Sequence, residues 1–198
     1  MAKFRPGNEN VTIMSKELRN HIEEIISLED SEFDYIASLF TKKKLKKHQY
    51  LIQVGEQVTH TYWVKKGLLK ASFIDEKDKE HIIQFAMENW WISDYQAYFT
   101  QTNSILTVNC LEDTELLCLS FENREKICRD LHKMEYFFRK KANSGFIALQ
   151  KRMLSFMADS PQKRYVLLLK QYPNLIQRVP KSILASYLGV SRETLSRF

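Results

Sequence analysis

The 198-residue chain is poor in three residue types that punctuate or cross-link structure: 3 cysteines, 4 prolines and 5 glycines. The cysteines, Cys110, Cys118 and Cys128, form no CxxC pair and lie among apolar neighbours. Neither a disulfide framework nor a thiolate metal site is expected, and they read as reduced core thiols. So little proline and glycine excludes collagen-like and low-complexity classes. No long uncharged apolar run is present, which excludes a transmembrane helix. The N-terminus "MAKFRPGNEN" lacks the apolar stretch of a signal peptide, so the cytoplasm is the expected location. His48, His60 and His81 stand singly, without an HxH pair and a spaced Glu, and no nucleophile elbow or phosphate loop occurs. No catalytic residue, no metal site and no cofactor is therefore expected.

What is present is enough apolar material, 44% of residues, for one large domain and a small one. The net charge of +6 is unevenly placed. Residues 150–198 carry nine Lys or Arg against Asp159 and Glu193, a net of +7, whereas residues 1–149 hold 21 basic and 22 acidic side chains. A polyanion should meet the C-terminal end first. The run "TKKKLKK" reads as a solvated charge run preceding the first strands.

Hydrophobic periodicity divides the chain. Leu18, Ile22, Ile25 and Ile26, then Phe33, Ile36, Leu39 and Phe40, fall at helical spacing, giving two short helices, the second capped by Asp30 and Ser31. From about Thr41 to Phe121 short apolar or alternating runs such as "YLIQVG", "TYWVKKGLLKASFI" and "ELLCLS" alternate with polar turns, the pattern of a β-sandwich or jelly-roll barrel, interrupted at "DYQAYFTQT" by one helical turn. Beyond Phe121 the pattern is helical. Phe138, Ala142, Gly145, Leu149 and Phe156 form one stripe on a helix long enough to outreach the barrel and face a second copy of the chain. Pro161 opens the next helix, which "PN" ends.

In "SILASYLGVSRETLSRF" a helix with Ile183, Leu184 and Leu188 ends at Gly189, suited to positive φ, and Ser191 caps the next. Leu184, Ala185, Leu188, Gly189, Val190, Leu195 and Phe198 match the internal spacing of a helix-turn-helix. The second helix offers Arg192, Glu193, Ser196 and Arg197, side chains that bond base edges, while Ser191 and Thr194 suit phosphate.

Together, the strand-rich domain, long helix, "GVSRETLSR" and "GEQVTHTYWVKKGLLKASF" (with Gly55, Glu56, Val64 and Gly67) resemble the Crp/Fnr family of bacterial transcription regulators. The resemblance implies an α+β chain: an N-terminal helical segment (1–30), a cyclic-nucleotide-binding-like β-roll sensor (31–130), a dimerisation helix (131–158) and a helix-turn-helix DNA-binding domain (159–198), which departs from the family's pattern in being C-terminally short and lacking a complete wing after Phe198. It implies a homodimer on double-stranded DNA, with RNA polymerase and a small-molecule effector as further partners. Arg192, Glu193 and Arg197 would read bases, and Ser191, Thr194 and Lys181 would contact phosphate. Where nucleotide-binding members carry Gly-Glu and Arg-Ser, this chain has Ser93-Asp94 and Ser104-Ile105, and no Lys or Arg lies between Lys79 and Arg124. A buried phosphate would be unpaired there, so cyclic AMP is not expected as effector. Trp91, Ser93, Asp94, Tyr95, Ser104 and Ile105 remain the candidate effector pocket, the large rings otherwise packing in the core. The alternative is an effector-binding or protein-interaction module whose short C-terminal domain does not read DNA specifically.

Overall fold

The computed structural model describes the backbone of residues 9–198 and the side chains of residues 16–198. Of the expected helical segment 1–30, residues 1–8, and with them most of "MAKFRPGNEN", lie outside the described residues. Helices α1 (Glu9–Glu23) and α2 (Asp30–Ser38) lead into strands β1 (Thr41–Leu45), β2 (Tyr50–Ile52), β3 (His60–Lys66), β4 (Leu69–Ile74), β5 (Glu80–Ala86) and β6 (Trp91–Ile92), then the short α3 (Tyr95–Thr100), β7 (Thr107–Cys110) and β8 (Thr114–Ser120). Helices α4 (Phe121–Asp130), α5 (His132–Ala158), α6 (Pro161–Gln171), α7 (Pro173–Arg178), α8 (Lys181–Leu188) and α9 (Arg192–Leu195) complete it. The chain is α+β, its strands forming a jelly-roll-like pair of antiparallel sheets.

One sheet has the order β1-β8-β3-β6 and the other β2-β7-β4-β5. Between them lie Leu51, Tyr62, Val64, Leu69, Ala71, Val108 and Leu116. Both outer faces are also covered, which explains why strands such as "TYWV" and "LLCL" read as continuous apolar runs rather than alternating ones. Trp63, Leu117 and Leu119 point away from the interior and pack with Leu18, Ile22, Phe33, Ile36, Ile127 and Phe137 of α1, α2, α4 and α5. On the opposite side Leu68, Ile82, Phe85 and Leu111 pack with Leu168, Leu175, Leu184, Leu188 and Leu195 of the C-terminal helices. The result is a helix–sheet–sheet–helix stack with three apolar interfaces. Gly67 fixes the β3–β4 turn: at φ +110° it lies so close to the β7–β8 turn that a Cβ would meet the Asp113 carbonyl oxygen at 2.8 Å.

Four sequence expectations need correction. The cap of α2 is Glu29, whose amide donates to the Glu32 carboxylate at 2.8 Å, rather than Asp30 or Ser31, which already lie inside the helix. Lys42, Lys43 and Lys44 do not precede the first strand; they are the exposed residues of β1, an edge strand paired with β8, where lysines discourage further strand addition. Pro173 does not only end α6: it starts α7. Phe138, expected on the partner-facing stripe, is 7% exposed and packs edge-on against Trp91 and Phe137 of its own chain.

His21 is buried where α1, β3, β6 and α5 meet, accepting a hydrogen bond from Trp91 Nε1 at 3.2 Å, with Trp63 and Phe137 against its ring. Burial, reinforced by Lys141 and opposed by Glu24, pushes its pKa down to about 4. The unfolded chain therefore binds a proton near pH 6.5 that the folded chain refuses until about pH 4. Folding stability should fall by roughly 2–3 kcal/mol as pH drops through that window, and a His21→Gln variant should lose this component of the slope. Urea unfolding at stepped pH measures it; equal slopes in the two proteins would refute the assignment.

Candidate functional site

The C-terminal helices are positioned by their own apolar side. Leu184, Ala185 and Leu188 of α8 and Leu195 of α9 are buried on the outer sheet face. Gly189 turns the chain at φ +70°, with the Val190 amide donating to the Ala185 carbonyl at 3.0 Å. The Ser191 hydroxyl accepts from the Thr194 amide at 3.1 Å and so starts α9. This leaves Arg192 and Glu193 exposed on α9, while Ser196 and Arg197, expected on the same helix, are exposed in the turn that follows its end at Leu195. Glu193 is held below the usual carboxylate range by hydrogen bonding at the helix start, to its own amide and to Ser191, with Arg192 and Arg197 adding to it. Arg197 reaches the Thr194 hydroxyl at 3.4 Å, and Lys181 is exposed at the first position of α8.

Not every basic residue of this end is free. Lys163 pairs with Asp159 at 2.6 Å, one helical turn away. Arg164 donates to the carbonyls of Leu188 and Asp159. Arg178 sits between two carboxylates, Glu88 at 2.7 Å and Glu112 at 2.6 Å, which raises its pKa. Arg152 is held by backbone carbonyls of β5 and α8. Arg152 and Arg178 tie helices to the roll and Arg164 ties α6 to α8, while Lys151, Lys170, Lys181, Arg192 and Arg197 have no ion-pair partner among the described residues. Composition counted all nine alike because pairs separated by 66 and 90 positions leave no local signal.

The six residues of the expected effector pocket do not form one pocket. Trp91 points outward, bonded to His21 and packed against Phe40 and Phe138. Ile105 is half-exposed, and Tyr95 stacks on Phe99 at the surface. The other three are brought together and buried. Asp94 caps α3 by accepting from the Ala97 amide at 3.1 Å, and its second oxygen accepts from the Ser104 hydroxyl at 2.8 Å and the Ile105 amide at 3.2 Å. Ser93 donates to the His60 carbonyl at 2.9 Å. An internal carboxylate thus uses the donors that an incoming anion would require.

The middle of α5 has a different character. Residues 142–151 are exposed on every side, including Phe146 at 68%, Ile147 and Leu149, and the exposure continues through Met153 and Leu154 to Met157 at 78%. Of the expected stripe, Ala142, Gly145 and Leu149 lie in this span. Phe156 instead turns toward its own chain, its ring under the guanidinium groups of Arg152 and Arg164. The apolar face left uncovered runs through Phe146, Met153 and Met157, residues the sequence reading did not single out.

Comparison with known proteins agrees with this geometry. Residues 42–130 match the cyclic nucleotide-binding domain model. A curated relative, the anaerobic regulatory protein of Bacillus subtilis, is 22% identical over 94 residues, covering 48% of this chain and 40% of that protein. The chain therefore matches less than half the length of that relative. FixK2 from Bradyrhizobium japonicum superposes with a TM-score of 0.71 at 14% identity, over 80% of this chain and 81% of that one. A regulator assigned to the Crp/Fnr family from Eubacterium rectale superposes with a TM-score of 0.66 at 16% identity, over 86% and 81% of the two chains. The chain shares the fold of these two proteins.

The match to the cyclic nucleotide-binding domain runs from β1 to the end of α4 and so includes the Asp94 cluster. Among the described residues no helix is long and apolar enough to cross a membrane, and no three His, Cys, Asp or Glu side chains gather as a metal site.

Replacing Asp94 with Ala removes the acceptor of two buried donors and one part-buried donor and should lower stability by about 2–4 kcal/mol. Chemical denaturation reads this directly; an unchanged midpoint would mean that the cluster does not hold the α3 loop in place.

Proposed function

We propose that the protein is a DNA-binding transcription regulator of the Crp/Fnr type, a cytoplasmic homodimer reading a pseudo-palindromic site, and not an enzyme. The observation that carries this reading is the exposed set Arg192 and Glu193 on α9 and Arg197 in the turn just after it, the helix being anchored on its other side by buried Leu195. Arg bonds guanine at two positions and Glu accepts from the cytosine amino group. Ser191, Thr194 and Lys181 flank them as phosphate contacts. The regulators of known structure that share the fold support the assignment by analogy of architecture.

In this reading residues 31–130 form the sensor roll behind the 1–30 helical segment, 131–158 the dimer helix and 159–198 the reading domain. The uncovered face of α5, with Phe146, Met153 and Met157, supports self-association, since so much exposed apolar surface on one helix calls for a partner helix. A two-fold pair places the reading helices about one DNA turn, roughly 34 Å, apart. The self-satisfied Asp94 cluster and the missing arginine support control by something other than cyclic AMP. RNA polymerase is the natural further partner if bound sites lie near promoters.

Selection of bound sites from a random duplex library at two salt concentrations should enrich a two-half-site motif. Arg192→Ala should weaken the best site by about 1–3 kcal/mol and relax one position of the motif. Salt-sensitive binding with no motif would leave only a basic surface and overturn the reading.

A Met153→Glu variant should shift the equilibrium toward monomer, measured by sedimentation at several concentrations, with circular dichroism unchanged. An unaltered distribution would remove α5 as the dimer contact.

A further inference from the structure

Where β5, α5 and α8 meet, an open cleft of about 380 Å³ is walled by Ile82, Ile83, Leu149, Met153 and Phe156, with Arg152 at its base. The size falls at the lower end of small-ligand pockets. Its wall is apolar apart from Arg152, His81 and Ser186, and none of its lining residues is acidic.

Arg152 differs from the other arginines at this seam. Arg178 meets two carboxylates, and Arg164 lies near Asp159. The Arg152 guanidinium is satisfied only by neutral backbone carbonyls: Nη1 donates to Ile83, and Nη2 to Ile82 at 2.9 Å and to Tyr187 at 3.1 Å. Its face lies 3.9 Å from the centre of the Tyr187 ring and 5.2 Å from that of Phe156. Nε is buried without a partner. Burial lowers its pKa, opposed by the Tyr187 phenol, and no carboxylate among the described residues pairs with it. A buried cation lacking a counter-charge is costly, and the planar fork of Arg pairs best with a two-oxygen anion.

We infer that this cleft is a binding site for a small amphipathic monoanion, an aliphatic or aryl carboxylate, whose apolar body lies against Leu149, Met153 and Phe156 and whose carboxylate pairs with Arg152. Such a ligand supplies both what the wall offers and what the arginine lacks. Its carboxylate competes with the Ile83 and Tyr187 carbonyls for the guanidinium, so occupancy bears on the contact between α8 and the roll. The site is separate from the Asp94 cluster and its occupancy is read without DNA, independently of the proposed DNA reading; it shares Met153 with the proposed dimer face, so binding is followed together with the state of association.

The test uses the full chain and three probes, octanoate, 4-phenylbutyrate and indole-3-acetate, each beside its primary amide, in calorimetric titrations at several protein concentrations. At least one carboxylate should saturate at one per chain, and its amide should bind about tenfold or more weakly. Arg152→Lys should keep part of that preference and Arg152→Met abolish it. Because Arg152 also braces the fold, Leu149→Trp provides a second variant, which fills the cleft with the arginine intact and should remove binding. Equal affinity of acid and amide overturns the proposal, as does the absence of saturable binding by all three acids. Affinity that falls as the chain self-associates also overturns it, because a second copy would then occupy the cleft.

Discussion

The outer face of the β2-β7-β4-β5 sheet cannot be left to water, and the arrangement of the C-terminal half follows from that constraint. Leu68, Ile82, Phe85 and Leu111 form an apolar surface on the roll. The small helices α6 to α9 have too little material for an independent core, so they complete one by lying on that surface. The polar ties are secondary to this burial and give it a register: Arg178 selects the turns carrying Glu88 and Glu112, and the Ser186 hydroxyl reaches the Glu80 carbonyl at 2.9 Å. The angle at which α9 is presented is thereby set by the sheet.

The opposite sheet face imposes the same demand on a different set of helices. Trp63, Leu117 and Leu119 draw in α1, α2 and the first turns of α5. Two distant segments are thus recruited to one sandwich, and α5 joins them, buried against the roll at Phe137 and Phe138 and engaged again at Arg152. The roll and the C-terminal helices are thus joined both through this helix and across the outer sheet face, and Arg152 contacts both β5 and α8.

Much of this was legible in the sequence because it is local. Alternating and apolar runs marked the strands, Gly189 and Ser191 marked the turn into α9, and the order of segments marked the fold. The long-range pairings were not legible. "TKKKL" reads as a charge run, and its place on an edge strand depends on its pairing with β8, some 70 positions away. Asp94 and Ser104 were noted as departures in a phosphate cassette, yet their bonding to each other depends on how the loop folds back. Phe138 and Phe146 are alike in composition and lie eight residues apart on one helix, and only the reach of the roll separates the buried ring from the exposed one. The arginines were counted as charge, whereas burial turned some of them into structural braces.

The bare middle of α5 bears on how the fold holds together. Over residues 142–151 the helix has its own backbone hydrogen bonds but, apart from the cleft at Leu149, little cover from other side chains among the described residues. A stretch of that length is marginal as an isolated helix in water, and Gly145 lowers its propensity further. The longest helix is therefore weakest at its centre rather than at its ends, and its middle amides should open to solvent more readily than those near Phe137 or Arg152. Rigidity along α5 is borrowed from whatever packs on that span, so in the proposed dimer the stiffness of the link between roll and α9 would rise with the concentration of the chain.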